Sequence, residues 1–481
     1  MKTGDDYRAS IRDDRRIFFD GERVDDVTTH PRMKRSVDII AAGYDQQHAL
    51  GPDATAPAYE PPRSSDDLRN RLELMIQWDV SLITTLESFN ALRTAASRMR
   101  EKHPHYAERI ERYVEYCQAE DIRCVQTISD AKGHRNLPPA QQDDPDVYLR
   151  VVEERSDGVV LNGAKLHISG AAITHEMVVM PTKRMKPGEE PWAIACGVPI
   201  DAKGITIMNT TVASSGDPRY HPYSQTREQP EGFVVFDHVF VPNERIFLCG
   251  EVEFSATFAH ALGLWQRVGG AAHMAKNADL LVGLAKLLAE ANGLDRVAHI
   301  RDKIQEMVIY ATLVRAGLEA AITNVSTTPE GWVSPSELYT NAAKYHGAAE
   351  FSKMIRHIHD IGGGSIVTAP MPGDLDNPET RPYVEKYMRT MDGIDGEYRT
   401  RLFHAIRDIT ADTFGGWWQV TTMLSGGGLF AQKMVATNHY PMEKAKALAR
   451  KAGNLEVREP VKKRKKQPEA PPVLKRGSGA G

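Results

Sequence analysis

A mostly α-helical chain with one central β domain is predicted by three observations. Apolar residues recur at helical spacing through much of residues 1–140. Short β-branched runs alternate with Gly, Pro and Asp turns over 141–262, and helical spacing then returns in longer stretches. The 481 residues suffice for about three domains of roughly 150 residues each. The expected division is an N-terminal helical domain (1–140), a middle β-barrel (141–262), a C-terminal helical bundle (263–455) and a disordered basic tail (456–481).

Taken in order, Arg16–Thr28 reads as a short hairpin. Ser64-Ser65-Asp66-Asp67 supplies a helix N-cap with acids in the first turn, and Leu68, Leu72, Leu74, Met75 and Trp78 then share one face. A second helix is predicted over Tyr106–Ala119, where Tyr106, Ile110, Tyr113, Val114 and Cys117 recur. In the middle region Tyr148, Leu149, Val151 and Val152 form a strand, Ser156-Asp157-Gly158 a hairpin turn, and Val159–Leu161 a second strand that Asn162-Gly163 turns again. Ser169-Gly170-Ala171-Ala172 is a run of small residues where a backbone can approach a flat ligand, and Val178–Met180 is a third strand. Ser214–Glu231 reads as a long exposed loop. Amphipathic helices are expected over Ala271–Ala289, Leu294–Thr323 and Ser334–His359, with Leu402–Trp418 completing the bundle.

Composition narrows the function classes. Apolar residues at 41% and charged residues at 26% are ordinary for a soluble globular protein. A net charge of −4 argues against nucleic acid as main partner. No run of about 18 apolar residues predicts a membrane span. MKTGDDYRASIRDDRR lacks the apolar core of a secretory signal, so a cytoplasmic location is expected. The basic run Lys462–Lys466 suits nucleic acid or a membrane surface, but, being short and isolated, it reads first as a solvated, disordered tail. Cys117, Cys124, Cys196 and Cys249 form no C-x-x-C pair and read as reduced thiols. The spacing of His167, His175, His238 and His273 fits no metal motif. No G-x-G-x-x-G follows a strand, so no nicotinamide site is expected.

DPDVYLRVVEERSDGVVLNGAK (from Asp144) followed by ITHEMVVMPT, together with Phe233–Leu248 and Arg16–Pro31, resembles the family shared by 4-hydroxyphenylacetate 3-monooxygenases and 4-hydroxybutyryl-CoA dehydratases. The resemblance runs from about Met1 to about Glu456 and implies an acyl-CoA dehydrogenase-like fold with FAD between the middle domain and the C-terminal helices. Family cofactor-binding positions fall on Gln126, Lys132, Gly133, His134, Arg135, Ser169 and the loop Leu424, Ser425, Gly426, Gly427, Gly428. The chemistry agrees: Lys132 and Arg135 can neutralise a pyrophosphate, Ser169 can bond a flavin edge, and the glycines permit close approach. Read without the family, KGHR is an exposed charged loop and SGGG a flexible turn. Gly363 and Gly364, after Asp360-Ile361-Gly362, resemble a glycine turn that touches cofactor across a subunit boundary; a plain helix C-cap explains the same letters.

The resemblance also implies departures. The dehydratase branch holds an iron–sulfur cluster on three cysteines and a histidine, positions that fall on Asp79, Ile83, Gln266 and His273 here, so no cluster is expected. Phenol hydroxylases of the family set an arginine, a tyrosine and a histidine around the phenol. The matching substrate-binding positions are Thr85, Phe89 and Gln126, which cannot supply that positive charge. Gln126 and Glu251 are the candidate catalytic residues; Glu251 resembles a site-facing dehydratase glutamate, and simple surface acidity explains it too. The leading expectation is a two-component monooxygenase for an aromatic or heteroaromatic small molecule. It would use FADH2 from a separate flavin reductase, act through a flavin C4a-hydroperoxide, and assemble as a homo-oligomer, a dimer or tetramer. A cluster-free lyase or isomerase acting on an acyl-CoA or related acid is the alternative.

Overall fold

The computed structural model describes residues 1–51, 54–211 and 216–455. Met1–Asn438 form one compact unit; a second, His439–Gly481, contains the helix Met442–Ala452 among its described residues. The tail expected over 456–481, with Lys462–Lys466, lies outside the described residues.

Helices α1 (Gly4–Ser10), α2 (Lys34–His48), α3 (Ser65–Met75), α4 (Val80–Met99) and α5 (Pro104–Ala119) make up most of the N-terminal region. Ser64 caps α3 as expected, its hydroxyl accepting from the Asp67 N–H. Leu74 faces solvent because, at about 100° per residue, it lies off the face shared by Leu68, Leu72 and Met75, and α3 ends at Met75, before Trp78. The sequence pattern gave no periodic signal for α4, which is buried nearly all round.

The strands of the middle region order into two sheets. The strands are β1 (Ile17–Phe19), β2 (Glu22–Val24), β3 (Cys124–Thr127), β4 (Arg150–Glu154), β5 (Gly158–Ser169), β6 (Glu176–Val179), β7 (Ile194–Pro199), β8 (Ile205–Thr210), β9 (Glu231–Pro242) and β10 (Ile246–Cys249). They order as β2-β1-β8-β9-β5-β4 and β10-β7-β6-β3. Three strands come from outside the 141–262 stretch, β1 with its hairpin partner β2, and β3. β1 pairs parallel to β8 with Ile17 opposite Ile207, and β3 parallel to β6 with Cys124 opposite Glu176. Such pairings satisfy edge N–H and C=O groups that a short isolated hairpin leaves open.

Asn162-Gly163 is not a turn. β5 runs through it as a bulge, with a register shift between Leu161 and Gly163. Gly163 has φ +133°, and a Cβ there would lie 2.7 Å from Leu149 Cα, so the crossing chain demands glycine. Of the stretch expected as a loop over Ser214–Glu231, the described residues 216–231 are docked, not simply exposed: Asp408 accepts the Tyr223 and Ser224 N–H groups at 2.9 and 3.0 Å, and Tyr220 and Ser224 are buried.

The two sheets are tied at one corner by Lys165 and Asp130, each 2% exposed and 2.8 Å apart. Lys165 Nζ also donates to the carbonyls of Ile128 and Met180, and Asp130 accepts the Leu149 N–H.

The C-terminal region is α6 (Val252–Ala291), α7 (Ala298–Thr323), α8 (Glu337–Gly362), α9 (Ser365–Thr368), α10 (Pro372–Asp376), α11 (Arg381–Met388), α12 (Gly396–Thr410), α13 (Thr413–Leu424) and α14 (Leu429–His439). α6 begins well before Ala271 because its first turns are buried too. The helix expected over Leu402–Trp418 is broken into α12 and α13. Asp412 caps α13 through the Thr413 N–H, and a Cβ at Gly415 would strike the Thr410 backbone at 2.7 Å. Among the described residues, no helix is long and apolar enough to cross a membrane.

Candidate active site

α4, β3 and α6 meet in a chain of three side chains. Gln266 Nε2 donates to Gln126 Oε1 at 2.6 Å, and Gln126 Nε2 donates to Glu87 Oε2 at 2.5 Å. Glu87 is 7% exposed, while Gln126 and Gln266 are half-buried. The helices approach so closely that a Cβ at Gly269 would come within 2.9 Å of Glu87 Oε1. Burial pushes the Glu87 carboxyl up to about 7, against the lowering effect of the Gln126 hydrogen bond.

A cationic group lies next along α6. Arg267 donates from Nε to the Gly426 carbonyl at 2.7 Å and from Nη1 to Asn341 Oδ1 at 2.9 Å. Lys344, 1% exposed on α8, donates to the Thr422 carbonyl at 2.5 Å, and burial pushes its ammonium down to about 7. The turn after α13 needs its glycines, with φ +73° at Gly426 and +93° at Gly427. A Cβ at Gly426 would lie 3.4 Å from Gln266 Cβ, so this turn abuts the Gln126 chain.

Ser169 forms a third group. Its hydroxyl donates to Glu231 Oε2 at 2.8 Å, and Trp417 Nε1 of α13 donates to Glu231 Oε1 at 3.2 Å. Burial raises the Glu231 carboxyl. The neighbouring Gly170 places a notional Cβ 3.8 Å from Val125 Cγ1, beside Gln126.

The loop Lys132–Arg135 is held by one side chain. Gln142 accepts the His134 N–H and donates to the His134 and Leu137 carbonyls. Lys132 and Gly133 both take positive φ, +72° and +43°. Among the described residues, neither Lys132 Nζ nor the Arg135 guanidinium has an ion pair or hydrogen bond, and Arg135 is exposed. The result is a pinned backbone carrying two unpaired cations.

The structure thus brings Gln126 beside Gly426 through Gln266, and Ser169 beside Gln126. It does not bring the other expected residues there. Thr85 donates to the Ser81 carbonyl and accepts the Cys124 N–H, fully buried between α4 and β3. Phe89 packs against the Tyr59 ring at 5.6 Å, also fully buried. Glu87, two residues from each, faces Gln126 instead, because a helix rotates about 100° per residue. Glu251 stands at the N-terminus of α6, accepting from Tyr106 and the Cys249 N–H. It is separated from Gln266 by fifteen residues, about 22 Å of helix. Gly363 and Gly364 are exposed at the C-terminal end of α8, where Gly363 donates to the His359 carbonyl as a cap.

Asp79 serves as the N-cap of α4. His273 is pushed down to about 4 by burial, Arg227 and Lys276. Among the described residues, no three His, Cys, Asp or Glu side chains gather as a metal-binding group.

Sequence reading missed Glu87, Arg267, Lys344, Glu231 and Trp417. One signal was available: Glu87 is the lone charge between Val80 and Leu92.

The buried pair of titratable groups predicts opposite pH responses. Glu87 has a folded pKa above its unfolded value, so its contribution to stability is full below about 4.5 and lost as pH rises through about 7. Lys344 has a depressed folded pKa, so its contribution is lost as pH falls through about 7. Glu87→Gln should therefore raise the unfolding midpoint relative to wild type at about pH 8.5 and not at about pH 5, by on the order of 1–3 kcal/mol. Lys344→Met should show the reverse ordering. Midpoint differences that do not depend on pH would rule out these assignments.

Two family models match the chain: 4-hydroxyphenylacetate 3-hydroxylase N terminal over residues 3–248, and 4-hydroxyphenylacetate 3-hydroxylase C terminal over residues 255–453. The chain is 27% identical to a 4-hydroxybutyryl-CoA dehydratase/vinylacetyl-CoA-Δ-isomerase of Clostridium aminobutyricum, over 94% of this chain and 99% of that one. It is also 27% identical to the 4-hydroxyphenylacetate 3-monooxygenase oxygenase component of Geobacillus sp. (strain PA-9), over 86% and 88% of the two chains. An oxygen-tolerant archaeal 4-hydroxybutyryl-CoA dehydratase from N. maritimus superposes with a TM-score of 0.86 at 26% identity, covering 95% of this chain and 96% of that one. The oxygenase component of 4-hydroxyphenylacetate 3-monooxygenase, solved with FAD, shares the fold with a TM-score of 0.85 at 23% identity, covering 95% and 100%.

Proposed function

The chain belongs to the 4-hydroxyphenylacetate 3-hydroxylase family, and from that membership we propose that it is a reduced-flavin-dependent monooxygenase hydroxylating an aromatic or heteroaromatic small molecule. FADH2 would come from a separate flavin reductase, in line with relatives whose names describe oxygenase components. The observation that carries this reading is the Lys132–Arg135 loop, whose two cations have no ion pair or hydrogen bond among the described residues and whose backbone is already fixed.

The residues present fit FAD. Lys132 and Arg135 would hold the pyrophosphate, Arg135 with a planar fork. The Gly426-Gly427 turn allows close backbone approach, and Ser169, with Glu231 and Trp417 behind it, offers a polar edge. Bound reduced FAD supplies the electrons that activate dioxygen. The chain itself excludes water with the apolar faces of α4 and α6 and orients the substrate with Gln126 and Gln266. Exposed Val420, Leu424 and Phe430, the last 76% exposed, suit burial against further copies in a dimer or tetramer.

The test is to load the protein with FADH2 anaerobically, add isotopically labelled dioxygen and a panel of phenols and hydroxylated heteroaromatics, and look for one labelled oxygen atom in a product. No labelled product from any member, with flavin bound, would count against the proposal. The 94% coverage by a dehydratase/isomerase relative favours one second reading, a cluster-free lyase or isomerase acting on an acyl-CoA. That reading predicts an isomerised or dehydrated product without dioxygen uptake.

A further inference from the structure

We infer that the cavity between the C-terminal end of α4, α6 and the short hairpin before α8 is a binding site, separate from the flavin's, for a neutral molecule with vicinal hydroxyls, a monosaccharide or polyol. This goes beyond the monooxygenase reading and does not depend on it.

The hairpin consists of Ser326–Thr327 paired with Val333–Ser334. It is fixed from outside: the Val333 N–H donates to the Pro62 carbonyl at 2.8 Å, and the Ser336 N–H to the Ala321 carbonyl at 3.0 Å. Gly331, at φ +82°, serves its turn. Between this hairpin and the helices lies a cavity of about 160 Å³. At roughly 30 Å³ per water it has the room of about five waters, enough for one small ring.

Trp332, 5% exposed, and Leu264 of α6 line it with apolar surface, which suits the C–H face of a saturated ring. Its only charged lining residues are Arg98 and Glu337, with Arg98 Nη2 standing 3.6 Å from Glu337 Oε1. That spacing is too long for a hydrogen bond, and neither side chain makes one among the described residues. Glu337 occupies the first position of α8, where the helix N-terminus favours a carboxylate. A donor and an acceptor thus stand side by side, unused and reachable, their side chains 44% and 20% exposed. The Ser326 and Ser334 hydroxyls, which also line the cavity, have no hydrogen bond among the described residues either.

Charge and spacing then select the ligand. An anion on Arg98 would face the Glu337 carboxylate, and a cation on Glu337 would face the Arg98 guanidinium. Neighbouring hydroxyls meet neither penalty: one accepts from Arg98 while the other donates to Glu337. A lone hydroxyl satisfies the pair less completely.

The probes are cis-1,2-cyclohexanediol and cyclohexanol, which differ by one hydroxyl, with benzoate and benzylammonium as charged controls. Titration of the full flavin-free chain, followed by saturation-transfer NMR, should show the diol binding at least about tenfold more tightly than the other three. Arg98→Met keeps the aliphatic stem and should weaken the diol by about tenfold or more, with little change in melting midpoint because no hydrogen bond is lost. Glu337→Leu should do the same, and it decides the matter if Arg98→Met fails to fold. Diol binding should persist when the chain is loaded with FAD. The inference is overturned if the diol does not bind, if cyclohexanol or a charged control matches it, or if both variants keep its affinity. Loss of diol binding on FAD loading would also overturn it, by assigning the cavity to the cofactor.

Discussion

Lys165→Met should destabilise the folded chain by about 3–5 kcal/mol, read as a shift of the urea-unfolding midpoint at constant slope. Lys165 belongs to the NGAK segment of β5, and a lysine there could be taken for a phosphate ligand. The structure gives it a different role. Its ammonium is 2% exposed, 2.8 Å from Asp130, and bonded to the carbonyls of Ile128 and Met180. Removing it leaves the Asp130 carboxylate in the same buried site with only the Leu149 N–H to accept. Losing one partner of a buried pair is costly because the remaining charge is neither hydrated nor compensated. Replacing both, as Asp130→Leu with Lys165→Met, should recover most of the loss. A single substitution costing less than about 1 kcal/mol would show that water reaches this corner.

Arg135→Ala should weaken FAD binding by about tenfold to a hundredfold, the equivalent of one charge-assisted contact of roughly 1.5–3 kcal/mol. Arg135 is exposed and unpaired, so the melting midpoint of the flavin-free protein should hardly move. Arg135→Lys should recover part of the affinity, since an ammonium keeps the charge and loses the fork. Equilibrium titration followed by flavin fluorescence separates the outcomes. If Arg135→Ala binds FAD as tightly as wild type, the loop pinned by Gln142 is not the pyrophosphate site.

The sequence by itself determined the order of the fold, the family, and the local signals that depend on neighbours in the chain. The Ser64 cap, the Ser156–Gly158 hairpin and the helix Pro104–Ala119 each rest on interactions within a few residues. The positions Gln126, Ser169 and Gly426 were expected from the family resemblance, which is carried by the order of residues along the chain. Only the tertiary structure decided which face of α4 looks into the site. That helix is buried on every side, so it has no apolar stripe from which to read its rotation. Thr85 and Phe89 consequently pack in the core, and Glu87 reaches Gln126. The bulge at Gly163 and the bridge from Lys165 to Asp130 were decided in the same way, by chain segments far apart in sequence, whose contact no local pattern encodes. So was the hydrogen bonding of the Gln126 carboxamide, which joins an acid 39 residues away to a glutamine 140 residues away.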